Sequence, residues 1–167
     1  MPRIPEDVAP IFERFVRGPS VVREALNGAA AAAISRPGKE GWSIRDVVVH
    51  LSDAELVRAA RFRLILAEDE PELFGFDEGV WKRKLHYLWR SPEAALSLYE
   101  MLIYTSAELL RECDAKGWER RGHHPQEGPV TIGWLLERGA NHADAHAGQI
   151  RELRALLEPG REPGRDH

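Results

Sequence analysis

Two histidines, His142 and His146, stand four residues apart in the stretch GANHADAHAGQIRELRALL, from Gly139 to Leu157. On a helix that spacing puts both imidazoles on one face, about one turn apart. Leu135, Leu136, Ile150, Leu153 and Leu157 mark the buried stripe of this segment. Stepping back from Ile150 by fours meets His146 and then His142, so both point inward. A buried polar group without a partner costs on the order of 1–3 kcal/mol. One divalent cation satisfies two imidazoles at once, and an open zinc-like site needs at least one more protein ligand.

His50 is the best candidate for that third ligand. It follows Val47-Val48-Val49 on a second segment whose apolar stripe includes Val47, Leu51 and Ala54. Two helices of a bundle that both turn polar groups inward converge them on a central site. Three imidazoles leave room for water or substrate on the ion. The competing reading is three core histidines satisfied by ordinary hydrogen bonds. No glutamate follows His142, so the H-E-x-x-H pattern of zinc proteases is absent.

Each ligand histidine needs a partner for its other ring nitrogen. Gln149, three residues beyond His146, can reach inward; Asn141 is adjacent to His142 but turned about 100° away. Asp144 and Glu55 are further options, with a salt bridge the simpler role for Glu55. Asp53, on the face of His50, is the preferred catalytic carboxylate, against an ion pair with an arginine from another helix. Trp81, Tyr87 and Trp89 could roof the pocket, with His86 beside them. Trp42 and Trp134 read as packing residues. His123 and His124 fall in a polar loop and are expected to be solvated; a metal role for either would close the site.

Four long helical patterns position these residues. The first runs from about Val8 to Ile34, with a break possible at Gly18-Pro19. The second begins at Ser43, an N-cap with Asp46 as its capping-box partner, and stops before Pro71. The third starts at Ser91 with Pro92 at its first position and ends near Cys113. The fourth runs from about Thr131 to Leu157, with Pro159-Gly160 as its stop. A short extra helix is expected near Glu78 to His86, in the connection between the second and third. The loop WERRGHHPQEGP joins the third and fourth, and nothing alternates persistently at period two. The expected fold is all-α, a four-helix bundle, as one domain over residues 1–158 with a disordered tail at 159–167.

The chain has 167 residues, 43% hydrophobic and 30% charged, with a net charge of −4. That size suits one domain, and the acidic balance gives no footprint for DNA or RNA. No apolar run reaches transmembrane length, and MPRIPEDVAPIFERF carries charges where a signal peptide needs an apolar core. A cytoplasmic location is the expectation. The single cysteine, Cys113, forms no intrachain disulfide and reads as a packing residue.

Three segments resemble the DinB-like superfamily, which includes YfiT-type metal-dependent hydrolases and thiol transferases. They are GWSIRDVVVHLSDAE (Gly41 to Glu55), the acidic-aromatic FDEGVW (Phe76 to Trp81), and the His124 to Thr131 segment leading into NHADAHAGQI. With the helical pattern they span about residues 8 to 157. The resemblance implies a four-helix bundle with one nickel, zinc or similar divalent ion per chain. His50, His142 and His146 match the ligand positions. It also implies a homodimer, and an activity on a small molecule. Thiol transfer comes first, with a low-molecular-weight thiol cosubstrate added to an electrophile. Hydrolysis by activated water and a non-enzymatic metal- or ligand-binding role are the alternatives. Phe62 and Leu66 are candidates for the dimer face. One departure stands out: the family pattern has two adjacent histidines before Gln-Ile, and here Ala145 replaces the first.

Overall fold

The computed structural model describes residues 4–160; the expected tail lies largely outside them. Four long helices dominate: α1 (Ala9–Leu26), α3 (Ile44–Ala67), α5 (Pro92–Arg111) and α7 (Ile132–Leu157). Helix α1 packs mainly against α7, and α3 against α5; α3–α7 and α1–α5 contacts close the ring. This is the four-helix bundle expected from the apolar periodicity. Short helices α2 (Ala31–Ile34), α4 (Glu78–Lys84) and α6 (Ala115–Glu119) and a single 3-10 turn (Tyr87–Trp89) occupy the connections.

The start of α3 is built as its sequence requires. Ser43 Oγ accepts from the Asp46 backbone N–H at 3.1 Å, and the Asp46 carboxylate accepts from Ser43 N–H at 3.0 Å. The three valines that follow are all buried. Their β-branched character does not produce a strand, because α3 crosses the bundle interior and a helix there pairs its own backbone groups. Thr131 caps α7, and Ser91 caps α5 with Pro92 at its first position.

Two expectations are corrected. Helix α1 runs through Pro19 and ends instead at Asn27-Gly28, where Gly28 takes φ 71°. Proline costs a helix one backbone bond; here Phe12, Phe15, Val22 and Ala25, buried on both sides of it, hold the helix together. The connection between α5 and α7 is not a bare loop. It holds α6 and an antiparallel hairpin, β1 (Arg121–His124) with β2 (Gly128–Thr131). The strands are too short for alternation to show in the sequence.

The hairpin has a third neighbour. Leu73 N–H donates to His123 O and His123 N–H donates to Pro71 O, both at 2.8 Å. The chain leaving α3 is thereby laid beside β1. Arg61 donates from Nη2 to the Phe74 carbonyl at 2.6 Å. These bonds set the course of the segment that carries Phe76 and α4 across the open side between α3 and α7.

Candidate functional site

His50 comes from the second turn of α3, His142 and His146 from the middle of α7. Their rings meet edge to face, with centroids 4.3–4.9 Å apart. His142 Nε2 lies 2.9 Å from His50 Nε2 and 3.0 Å from His146 Nε2. One ligand atom from each of the three histidines lies within 4.8 Å of the other two, the inward convergence expected from the spacing.

Three imidazole nitrogens so placed cannot satisfy one another. Nδ1 of His146 donates to Gln149 Oε1 at 2.8 Å, which leaves its Nε2 as a lone pair facing the cluster. His142 Nε2 has at most one proton to give and two nitrogens beside it. Nδ1 of His50 is buried and without a hydrogen-bond partner. Burial and the neighbouring His146 push His50 down to about 4. His142 is also lowered, by burial first and then by Arg58, and His146 is lowered by burial. Neutral imidazoles with converging lone pairs are what a cation requires. Around a tetrahedral zinc, ligand nitrogens stand ~3.3 Å apart, close to the separations found. The donor set fits a divalent ion.

His50 and His142 line a pocket of about 440 Å³ between α3, α7 and the crossing segment; His146 lies behind them against Gln149. Phe76 forms one wall, 6.3 Å from the His50 ring, and Trp81 stacks behind it at 4.5 Å. Trp42 meets His50 edge-on at 5.6 Å.

The carboxylate at this site is Glu78 rather than Asp53. Glu78 Oε2 lies 3.5 Å from His50 Nε2, and its side chain is 63% exposed. Asp53 is buried and paired with Arg90 at 2.6 Å. Three residues along a helix is a rotation of about 60° off the His50 direction. Because α3 is enclosed, that turn aims Asp53 at the segment preceding α5 instead of at α7. Glu78 sits in the acidic-aromatic stretch FDEGVW, where Asp77 caps α4.

Other expected residues divide. Gln149 supports His146 as anticipated. Asn141 touches the pocket rim, but its Oδ1 accepts from Arg14, which also pairs with Asp144. Glu55 is fully buried and forms the expected salt bridge, with Arg58 as its partner. His86 is exposed, with φ 50° at the 3-10 turn. Tyr87 is in the core, and Trp89 is 82% exposed, so neither roofs the pocket. His124 and Trp134 do line it, with ring centroids 5.5 Å apart; the hairpin brings His124 in from what reads as a solvated loop. Arg58, Arg61 and Arg138 line it too. For two of them the signal was present in the sequence: Arg138 is one turn before His142, and Arg61 three turns after His50. Ala145 is exposed, so the departure from the family pattern falls on the solvent side of α7.

Comparison with known proteins agrees with this fold. The model of the DinB superfamily matches residues 14–150. A protein of Oceanobacillus iheyensis is 32% identical over 68% of this chain and 65% of its own length. The YfiT protein of Bacillus subtilis is 27% identical over 81% of this chain and 77% of its own. Both carry the name "Putative metal-dependent hydrolase". The aligned stretch thus falls just short of two thirds of the Oceanobacillus protein. The solved structure of B. subtilis YfiT is described as a probable metal-dependent hydrolase with an unusual four-helix bundle topology. It superposes with a TM-score of 0.83 at 24% identity, covering 94% of this chain and 91% of that one. With the bundle, its segment order and the family match over most of its length, the chain belongs to the DinB superfamily.

Proposed function

We propose that this protein is a metal-dependent enzyme acting on a small molecule, with one divalent ion held by His50, His142 and His146. The convergence of three Nε2 atoms at a pocket carries the reading. Zinc and nickel both suit three imidazoles. Bound there, the ion supplies a charge that lowers the pKa of a thiol or of water. The first reaction in this reading is transfer of a low-molecular-weight thiol to an electrophile, which the family resemblance supports. Cys113 is not its nucleophile: it is buried beside α6, outside the pocket lining, and burial raises its thiol.

The chain's own groups have separable roles. Gln149 fixes which nitrogen of His146 carries its proton. Glu78 reaches the cluster from the solvent side and is placed to accept the proton a nucleophile gives up. Phe76 and Trp81 shield one side from water. Hydrolysis by activated water is the second reading, favoured by the relatives' names. A binding protein without turnover would be favoured by a fourth protein ligand; among the described residues, Glu78 is near His50 and outside the three-histidine group.

Elemental analysis of untagged protein, beside a His50→Ala, His142→Ala double variant, tests the site. About one ion per chain in the parent, lost in the variant, is expected. No uptake of added zinc or nickel would sink both metal mechanisms. Thiols offered with an aryl halide, and esters offered with water, then separate transfer from hydrolysis. Glu78→Gln should lower the rate by roughly 10²–10⁴-fold with the metal retained.

A further inference from the structure

The wall of the pocket beyond the histidines is basic, on a chain whose net charge is −4. Arg58 and Arg61 of α3 and Arg138 of α7 all line it, against one lining carboxylate, Glu78. Helix geometry puts them together. Arg61, three turns past His50 on α3, returns to the His50 face, Arg58 stands beside it about 80° off that direction, and Arg138 precedes His142 by one turn. Arg58 is already compensated by the buried Glu55. The other two have no carboxylate within ion-pair distance among the described residues. Arg61 spends Nε and Nη2 on the Phe74 carbonyl, a neutral acceptor. Arg138 lies over the Trp134 ring, 5.3 Å from its centroid, a placement that orients a guanidinium without neutralising it.

A fourth donor faces the same space. His124 Nδ1 accepts from the backbone N–H groups of Gln126 and Glu127, both at 3.3 Å. Its proton is therefore on Nε2, and the ring is a neutral donor. Glu127 on the hairpin turn acts on His124 at longer range. Gathering guanidiniums in one pocket has a cost: Arg61 is held below its ordinary value by burial and by Arg58 and Arg138 beside it. A fold keeps such a cluster where an anion offsets it.

We propose that this pocket binds an oxyanion: its substrate or cosubstrate carries a carboxylate or phosphate that Arg138 and Arg61 grip, with Arg58 and His124 beside them. This names the class of molecule for the proposed function. It rests on that reading only for which end reacts: the charged group sits on the arginine side and the reacting end at the histidines. The volume suits a small molecule.

Calorimetric titration tests the proposal, with succinate, inorganic phosphate and neutral succinamide as probes. The protein is the full chain equilibrated with zinc, its metal content measured on each sample. Arg138→Gln is the main variant, since Arg138 is exposed and its loss leaves the core intact; Arg61→Gln is the second. Binding of succinate or phosphate, weakened roughly tenfold or more in each variant at unchanged metal content, is expected. Succinamide should not bind. Preference between the two anions assigns the group as carboxylate or phosphate. Equal anion affinity in parent and variants would overturn the proposal, since the ion itself or another surface would then be the site. Absence of anion binding to zinc-loaded protein would also overturn it and leave the metal site standing. Arginine-dependent binding to protein that takes up no zinc would uphold the anion site while the metal reading fails.

Discussion

His146 is fixed at both ring nitrogens. Gln149 takes one, and the other faces His142 and His50. Replacing Gln149 with leucine removes the acceptor for Nδ1 and frees the ring to turn. The dissociation constant for zinc, measured by chelator competition, should rise by about 10–100-fold. The same burial sets a pH dependence in metal-free protein. His50 falls to about 4 from its ordinary 6.5, so the folded state keeps it neutral while the unfolded chain takes up a proton. Between those values the unfolded state binds more protons, and stability falls as pH falls. The loss begins near pH 6.5 and is complete near 4. From His50 it is on the order of 3 kcal/mol. The buried Glu55, whose carboxyl is raised, acts in the opposite direction. The comparison is therefore between urea unfolding of the parent and of His50→Asn, and the variant should show the shallower acid slope. Identical slopes would mean that His50 is not held neutral by the fold.

At the scale of elements, the site depends on how closely α7 approaches its neighbours. A Cβ added at Gly139 would stand 2.8 Å from two atoms of the Phe15 ring and 3.1 Å from Arg58 Cδ. That residue is one turn before Ala143 and next to the start of the ligand pair. Gly139→Ala should cost about 1–3 kcal/mol by overpacking, read as a lowered Tm, and should disturb the seating of Arg58. Ser43→Ala removes one half of the capping box and should cost about 1 kcal/mol. Its effect is expected on stability alone, because His50 lies two turns inside α3. A change in metal affinity larger than the change in stability would show that the cap also sets the position of His50.

Across the whole molecule, the pocket is closed on one side by pieces distant in the chain. The segment after α3 is laid against the hairpin, and Phe76, His124 and Glu78 arrive together as a result. The homodimer implied by the family resemblance remains a proposal, and the two residues expected at its face are taken up by the chain's own packing. Phe62 is fully buried against Phe15, and Leu66 packs partly into the core. Leu98, Met101 and Tyr104 of α5 are instead exposed, at helical spacing on the side away from α7. If the chain dimerises there, light scattering at micromolar concentration should give twice the chain mass for the parent and the chain mass for Met101→Glu. A parent of single mass would remove the dimer. No helix among the described residues is long and apolar enough to cross a membrane.

Sequence by itself determined what periodicity and local chemistry can carry. The four helices follow from apolar residues recurring at helical spacing, their starts from Ser43, Ser91 and Thr131, and the inward aim of the histidines from their step to Ile150. Such signals are local, repeated over several turns, and survive any packing of the bundle. Tertiary structure decided whatever depends on one direction at one residue, or on segments far apart in the chain. Asp53 took its alternative reading, the arginine ion pair, because a turn of about 60° on an enclosed helix sends its carboxylate to Arg90, while the crossing segment brings Glu78 to His50. His124 entered the pocket because a hairpin of two four-residue strands, too short to announce itself, turned a polar loop inward. Arg61 and Arg138 were already legible as points on the ligand faces. That they meet in one cavity is a property of α3 lying against α7, which no single stretch of sequence contains.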